Sequence, residues 1–189
     1  WGGELRLPQK DGAGSYFVRS GATLGGSGSV DGAVTVFDGG TLAPGTSPEV
    51  FTVSNDVTLS LGSLFEVEVL GLNAGTDHDQ LLVTGSARTV TLAGALDVDF
   101  SGATFTPAMD DYLYIVSLMD ATSTLSGAFS NFAQGQSVGS YGGFDWIINY
   151  EVDSATNNLT FGAGNDIALV AVPEPPGLLL IGRVLAGLV

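Results

Sequence analysis

Two stretches alternate apolar and polar side chains without a break: Leu64-Phe65-Glu66-Val67-Glu68-Val69 and Leu96-Asp97-Val98-Asp99-Phe100. A period of two puts Phe65, Val67 and Val69 on one face of a strand and Glu66 and Glu68 on the other. In the same way Leu96, Val98 and Phe100 oppose Asp97 and Asp99. Both stretches predict half-buried strands with an acidic outer face. Further strands are expected over residues 16–18, 33–37, 112–117, 125–129 and 144–152, and over 159–161 after a turn at 154–158. Met109-Asp110-Asp111 reads as a turn, and the Gly/Ser-rich stretch 134–143 as a loop. A short apolar strand at 167–172 ends at Pro173, Pro175 and Pro176, which fix φ and donate no hydrogen bond.

Glycine punctuates these strands with some regularity. Gly21-Ala22-Thr23-Leu24, Gly40-Thr41-Leu42, Gly62-Ser63-Leu64 and Gly94-Ala95-Leu96 share a Gly-x-Leu texture, and Val90-Thr91-Leu92 is a looser copy. The first three leucines fall about twenty residues apart, the spacing of stacked structural repeats. The expected fold is all-β. Residues 1–20 predict little, 21–103 form a parallel β-helix or solenoid-like repeat, and 104–165 form a β-rich cap that holds most of the aromatic residues. Residues 166–189 form a terminal tail. The alternative is an antiparallel β-sandwich with Gly-rich turns.

Composition narrows the classes. Hydrophobic residues make up 44% and charged residues 13%, with 28 glycines and no strict three-residue period. That hydrophobicity argues against disorder, and the glycine spacing against collagen. The net charge of −15 repels nucleic acid and anionic lipid, so neither is an expected partner of the folded domain. With no cysteine, a disulfide framework and thiolate metal ligands are excluded. Residues 2–20 carry Glu4, Arg6, Lys10, Asp11 and Arg19 and show no apolar signal core, so an export signal is expected upstream of Trp1.

The tail reads Val172-Pro173-Glu174-Pro175, then Pro176 and Gly177, then an apolar run containing Leu178, Leu179, Leu180, Ile181, Val184, Leu185 and Leu188. A short apolar helix is expected there, below the ~20 residues of a full membrane span. The tail resembles the C-terminal sorting signal of PEP-CTERM proteins, although Arg183 interrupts the run and no basic cluster follows it. The resemblance implies export, transient insertion in the inner membrane through the apolar residues, and processing by an exosortase near Pro173–Pro175. A second resemblance covers residues 21–161. Gly40-Thr41-Leu42-Ala43-Pro44-Gly45-Thr46-Ser47-Pro48 and Asp77-His78-Asp79-Gln80-Leu81-Leu82-Val83 are similar to the autotransporter-type β-strand repeats of bacterial surface proteins. That similarity implies a β-helix passenger-like domain and carries no catalytic residues.

Several candidate sites can be set against plainer readings. Glu66, Glu68, Asp97 and Asp99 would share a face if their strands stack, and could then bind calcium or act as a glycosidase acid and base; a solvated acidic face is the favoured reading. Gly135-Gln136-Ser137-Val138-Gly139 matches a nucleophile elbow, but no helix former follows and His78 comes earlier in the chain. His78, between Asp77 and Asp79, reads as a polar turn residue entering the strand at Gln80 rather than as a metal ligand. Gly25-Gly26-Ser27-Gly28-Ser29-Val30-Asp31 nearly copies a calcium-binding nonapeptide, with its acid one residue late. Asn158-Leu159-Thr160 forms a glycosylation sequon read as chance. No metal, cofactor or enzymatic activity is therefore expected. The sequence supports an exported surface or extracellular-matrix protein with a structural or adhesive role, whose expected partners are an exosortase-type enzyme and exopolysaccharide or other surface proteins. The alternatives are a polysaccharide-active β-helix enzyme and a sugar-binding module that stacks its ligand on Tyr141, Trp146 or Tyr150.

Overall fold

A computed structural model of the chain describes residues 3–6, 14–45, 47–159, 162 and 164–174. After β1 (Glu4–Arg6), strands come in triplets. The first triplet is β2 (Tyr16–Val18), β3 (Thr23–Gly26) and β4 (Ser29–Val30). The second is β5 (Val34–Val36), β6 (Thr41–Pro44) and β7 (Val50–Val53), and the third is β8 (Val57–Leu59), β9 (Leu64–Glu68) and β10 (Gln80–Val83). The fourth is β11 (Thr89–Leu92), β12 (Ala95–Asp99) and β13 (Tyr112–Leu118). β14 (Thr124–Gly127) follows, then β15 (Ser137–Tyr141), β16 (Phe144–Val152) and β17 (Asp166–Pro173). Among the described residues there is no helix.

Members of each triplet go to three different sheets. Sheet I has the order β14-β11-β8-β5-β2, sheet II β1-β3-β6-β9-β12, and sheet III β15-β16-β17-β13-β10-β7-β4. Every ladder in sheets I and II is parallel, as are those joining β4, β7, β10 and β13. The antiparallel-sandwich alternative does not describe these ladders. The chain returns to a sheet only after visiting the other two, so neighbouring strands run the same way, whereas a tight hairpin would reverse them.

In-register stacking builds the core as rows. Val18, Val36, Leu59 and Leu92 occupy successive positions on the inner side of sheet I, and all are buried. On sheet II the row is Leu24, Leu42, Phe65 and Leu96. This row corrects the sequence-derived repeat at one step. The partner of Leu42 is Phe65, not Leu64, which pairs with Thr41. A one-residue slip exchanges the faces, and the alternation within β9 requires the phase that buries Phe65. Val90-Thr91-Leu92 belongs to sheet I and is no copy of the sheet II unit. Close stacking also explains a glycine. A Cβ at Gly25 would lie 1.8 Å from the Ala43 carbonyl oxygen, where β6 passes β3.

The far end of the molecule closes differently. β13 pairs parallel with β10 on one side and antiparallel with β17 on the other, and β16 and β15 continue the antiparallel series. Phe129 stacks on Phe65 with ring centroids 5.8 Å apart, which ties the chain after β14 to the row core. The Asn131 side chain accepts from Leu96 N–H at 3.0 Å and donates to the Leu96 carbonyl at 2.8 Å, covering part of the β12 edge as a strand would. The expected loop at 134–143 is therefore corrected: residues 137–141 are β15, because β16 offers an open edge that satisfies their backbone. Within the expected cap region, β13 and β14 continue the parallel stacking of sheets III and I. The strand opening the tail segment, β17, lies between β13 and β16. The apolar helix expected after Gly177 lies outside the described residues.

Candidate functional site

In-register pairing of β9 with β12 brings the four acidic candidates together. Asp97 stands opposite Glu66, and Asp99 opposite Glu68. They border a hollow of about 320 Å³ on the outer side of sheet II, lined also by Arg6, Gly45, Ser47 and Asp79. Burial raises the Glu66 carboxyl above its usual range and the Asp97 charge adds to the rise, while Arg6 opposes it. Asp99 is held below its usual range by the Ser101 N–H, which donates to it at 2.7 Å. Glu66, Asp97 and Asp99 are exposed. Among the described residues, no three His, Cys, Asp or Glu side chains gather closely enough to hold a metal ion. The face is thus assembled as an acidic ladder, without a coordination cage.

At the edge of this hollow lies a feature missed in the sequence. His78, Asp79 and Gln80 are consecutive, polar and buried. His78 follows the turn at residues 75–77 and leads into β10, which starts at Gln80, but its side chain is buried. His78 forms bridges with Val69 and Ala74, and its Nε2 lies 3.3 Å from the Tyr114 carbonyl oxygen. Asp79 accepts from Glu49 N–H through Oδ1 and from Glu68 N–H through Oδ2, each at 2.9 Å. The Gln80 amide donates to the Tyr114 carbonyl at 3.0 Å and to Ser117 Oγ at 3.1 Å. Three adjacent side chains therefore join the segment entering β7, β9 and β13. The signal that could have revealed them is a polar run placed directly against the apolar residues Leu81, Leu82 and Val83, where a solvated loop would have little reason to end.

Both ionisable members are shifted. Burial raises the Asp79 carboxyl from 3.8 to about 7 against the pull of its two N–H donors, and the Glu68 and Glu49 charges add to the rise. Burial lowers His78 below 6.5, despite hydrogen bonding and the nearby Asp77 charge. With both Asp79 oxygens occupied by backbone donors, this carboxyl is a structural staple.

The remaining candidates separate. Ser137 lies within β15 and its Oγ donates to the Gly139 carbonyl at 3.3 Å, so the Gly-x-Ser-x-Gly match is part of an antiparallel strand and not a strand-to-helix elbow. Gly25 and Gly26 end β3, and Ser29 and Val30 form β4. Asn158 closes a turn by bridging Asp153; Thr160 lies outside the described residues. The proposed sugar platforms are corrected as well. Trp146 is fully buried and Tyr150 nearly so. Tyr150 Oη accepts from Phe129 N–H and donates to the Phe132 carbonyl, and Tyr141 is stacked on Phe100 at 5.8 Å. Trp146 and Tyr150 are core because antiparallel closure folds β16 over the end of the row core, whereas Tyr141, in β15, is only partly buried against it. In the tail motif, Val172 and Pro173 complete β17, opposite Asp145 and Phe144. Pro173 and Glu174 are exposed, while Pro175 and the apolar residues from Leu178 to Leu188 lie outside the described residues.

No protein-family model matches this chain, and no curated protein is detectably similar to it.

Proposed function

We propose that the three sheets are the faces of a parallel β-solenoid, and that the chain is an exported bacterial surface or extracellular-matrix protein with a structural or adhesive role. The observation that carries this reading is the rotation of successive strands through sheets I, II and III, with in-register rows inside. Such a stack is rigid, extensible by repetition and broad-faced, which suits a scaffold better than a catalytic cleft. The Val172-Pro173-Glu174-Pro175 motif supports sorting by a PEP-CTERM-like route, because Pro173, the final residue of β17, and Glu174, which follows it, are exposed. On this reading an exosortase-type enzyme meets the motif just outside the inner membrane. The domain then reaches the cell surface or the extracellular layer.

The test is fractionation of the full-length protein in a bacterium that has an exosortase, beside a Pro173→Ala/Glu174→Ala variant. The wild type should reach the surface or the medium, with the variant retained in the inner-membrane fraction. Identical distribution of both would remove the motif from the account.

A further inference from the structure

The outer face of sheet I differs from the acidic outer face of sheet II. Its central row is set by register: Phe17 opposite Thr35, Thr35 opposite Thr58, Thr58 opposite Thr91, and Thr91 opposite Ser126. The inner neighbours of these residues pack in the core, so the hydroxyls point outward. Phe17 is 59% exposed at the head of the row. Beside it, Thr89 and Thr124 are joined through their hydroxyl oxygens at 3.2 Å. Charged groups near this row include Asp56, whose Oδ1 accepts from the Thr89 N–H, Arg88, which donates to Asn55 Oδ1, and Arg19, which covers the Phe37 ring. Sheet II, by contrast, presents Glu66, Glu68, Asp97 and Asp99.

We propose that the outer face of sheet I is a docking strip for an extended, uncharged polysaccharide, whose chain lies across the strands from Phe17 to Ser126. The proposal rests on the adhesive matrix reading above and names the partner of that protein. Hydroxyls recur at the strand spacing of ~4.8 Å, close to the advance of a β-linked pyranose chain per sugar. Each threonine offers a hydroxyl to a sugar hydroxyl and a methyl to a sugar C–H face, while Phe17 supplies a stacking surface. Charge selects among polymers. At a net charge of −15 the molecule repels a polyanion, and the row from Phe17 to Ser126 itself carries no carboxylate. A second copy of this chain is a poor occupant. Four strand steps by three residues give a strip of roughly 200 Å², far below the ~800 Å² per partner of a stable complex.

The test is calorimetric titration of the protein with cellohexaose and, separately, with the polyanion polygalacturonate. Thr35→Val/Thr58→Val/Thr91→Val keeps β-branched strand formers and removes the hydroxyls; Phe17→Ala removes the exposed ring. Wild type should bind cellohexaose and not polygalacturonate, each variant should lose at least about tenfold in affinity at an unchanged melting temperature, and Asp97→Asn should bind as wild type. Binding that both sheet I variants retain would overturn the strip and leave the adhesive reading standing. Absence of cellohexaose binding by the wild type, or tighter binding of the polyanion, would overturn the proposed partner, while surface location is judged separately by fractionation. A wild-type dimer in sedimentation that the triple variant loses would assign the face to a second copy and overturn the proposal.

Discussion

At the scale of single residues, Asp79 and His78 make stability depend on pH with opposite signs. The folded chain holds a proton on Asp79 up to about pH 7, which the unfolded chain releases near 3.8. The contribution of Asp79 is therefore fully present below pH 3.8 and lost as pH rises to about 7. His78 is harder to protonate in the folded chain than in the unfolded one, so its contribution is lost as pH falls through and below 6.5. Asp79→Asn should remove the first component. It also sets an amide N–H₂ against one of the two backbone donors, costing about 1–3 kcal/mol at pH 5. Urea unfolding of wild type and variant at several pH values checks both; parallel curves from pH 4 to 7 would contradict the assignment. Gly25→Ala tests close stacking, since the added carbon meets the Ala43 carbonyl. A loss of about 3 kcal/mol is expected from forcing two strands apart, and a neutral result would mean that β3 and β6 are more widely spaced. The buried trio at 78–80 left only one trace in the sequence, a polar run set directly against Leu81, Leu82 and Val83, because a polar triplet does not itself mark burial. Its partners, Glu49, Glu68 and Tyr114, are distant in sequence.

At the scale of elements, local pattern was sufficient where a strand's own side chains decide its burial. The strands expected at residues 16–18 and 144–152 are β2 and β16, because Val18, Trp146, Ile148 and Tyr150 mark an apolar face by themselves. β15 was illegible for the converse reason: Ser137-Val138-Gly139-Ser140-Tyr141 has too few apolar residues, and the backbone edge of β16 makes it a strand. The same reasoning applies to the Asn131 cover on β12. Asn131→Ala should cost ~1–2 kcal/mol by leaving Leu96 N–H and C=O without their partner, with faster amide exchange at Leu96 as the direct readout. On the acidic ladder, like charges directly opposite each other are unfavourable. Glu66→Gln should therefore leave stability within about 0.5 kcal/mol, on the stabilising side, and a large loss or a calcium-dependent melting temperature would show that the carboxylates hold an ion.

For the whole molecule, the central claim is that the chain rises through three sheets and sets each strand beside its counterpart in the next triplet. The expectation of stacked repeats came from glycine spacing, yet that spacing was imprecise. Register continues from Phe65 to Leu96 even though the excursion at residues 70–79, between β9 and β10, lengthens the path between these two strands. Excursions leave through the corners, so the rows inside tolerate them, and a strict sequence period is unnecessary. The absence of cysteine permits a direct measurement of the claim. Thr58→Cys/Thr91→Cys places two thiols on adjacent parallel strands, opposite each other and ~4.8 Å apart, within the usual disulfide range of about 4.4–6.8 Å between Cα atoms. Thr58→Cys/Ser126→Cys places them two strands apart, at ~9.6 Å. Under mild oxidation, mass spectrometry should find the first pair cross-linked within one chain and the second pair reduced. Failure of the first pair to close, or equal closure of both, would contradict the stacked parallel arrangement.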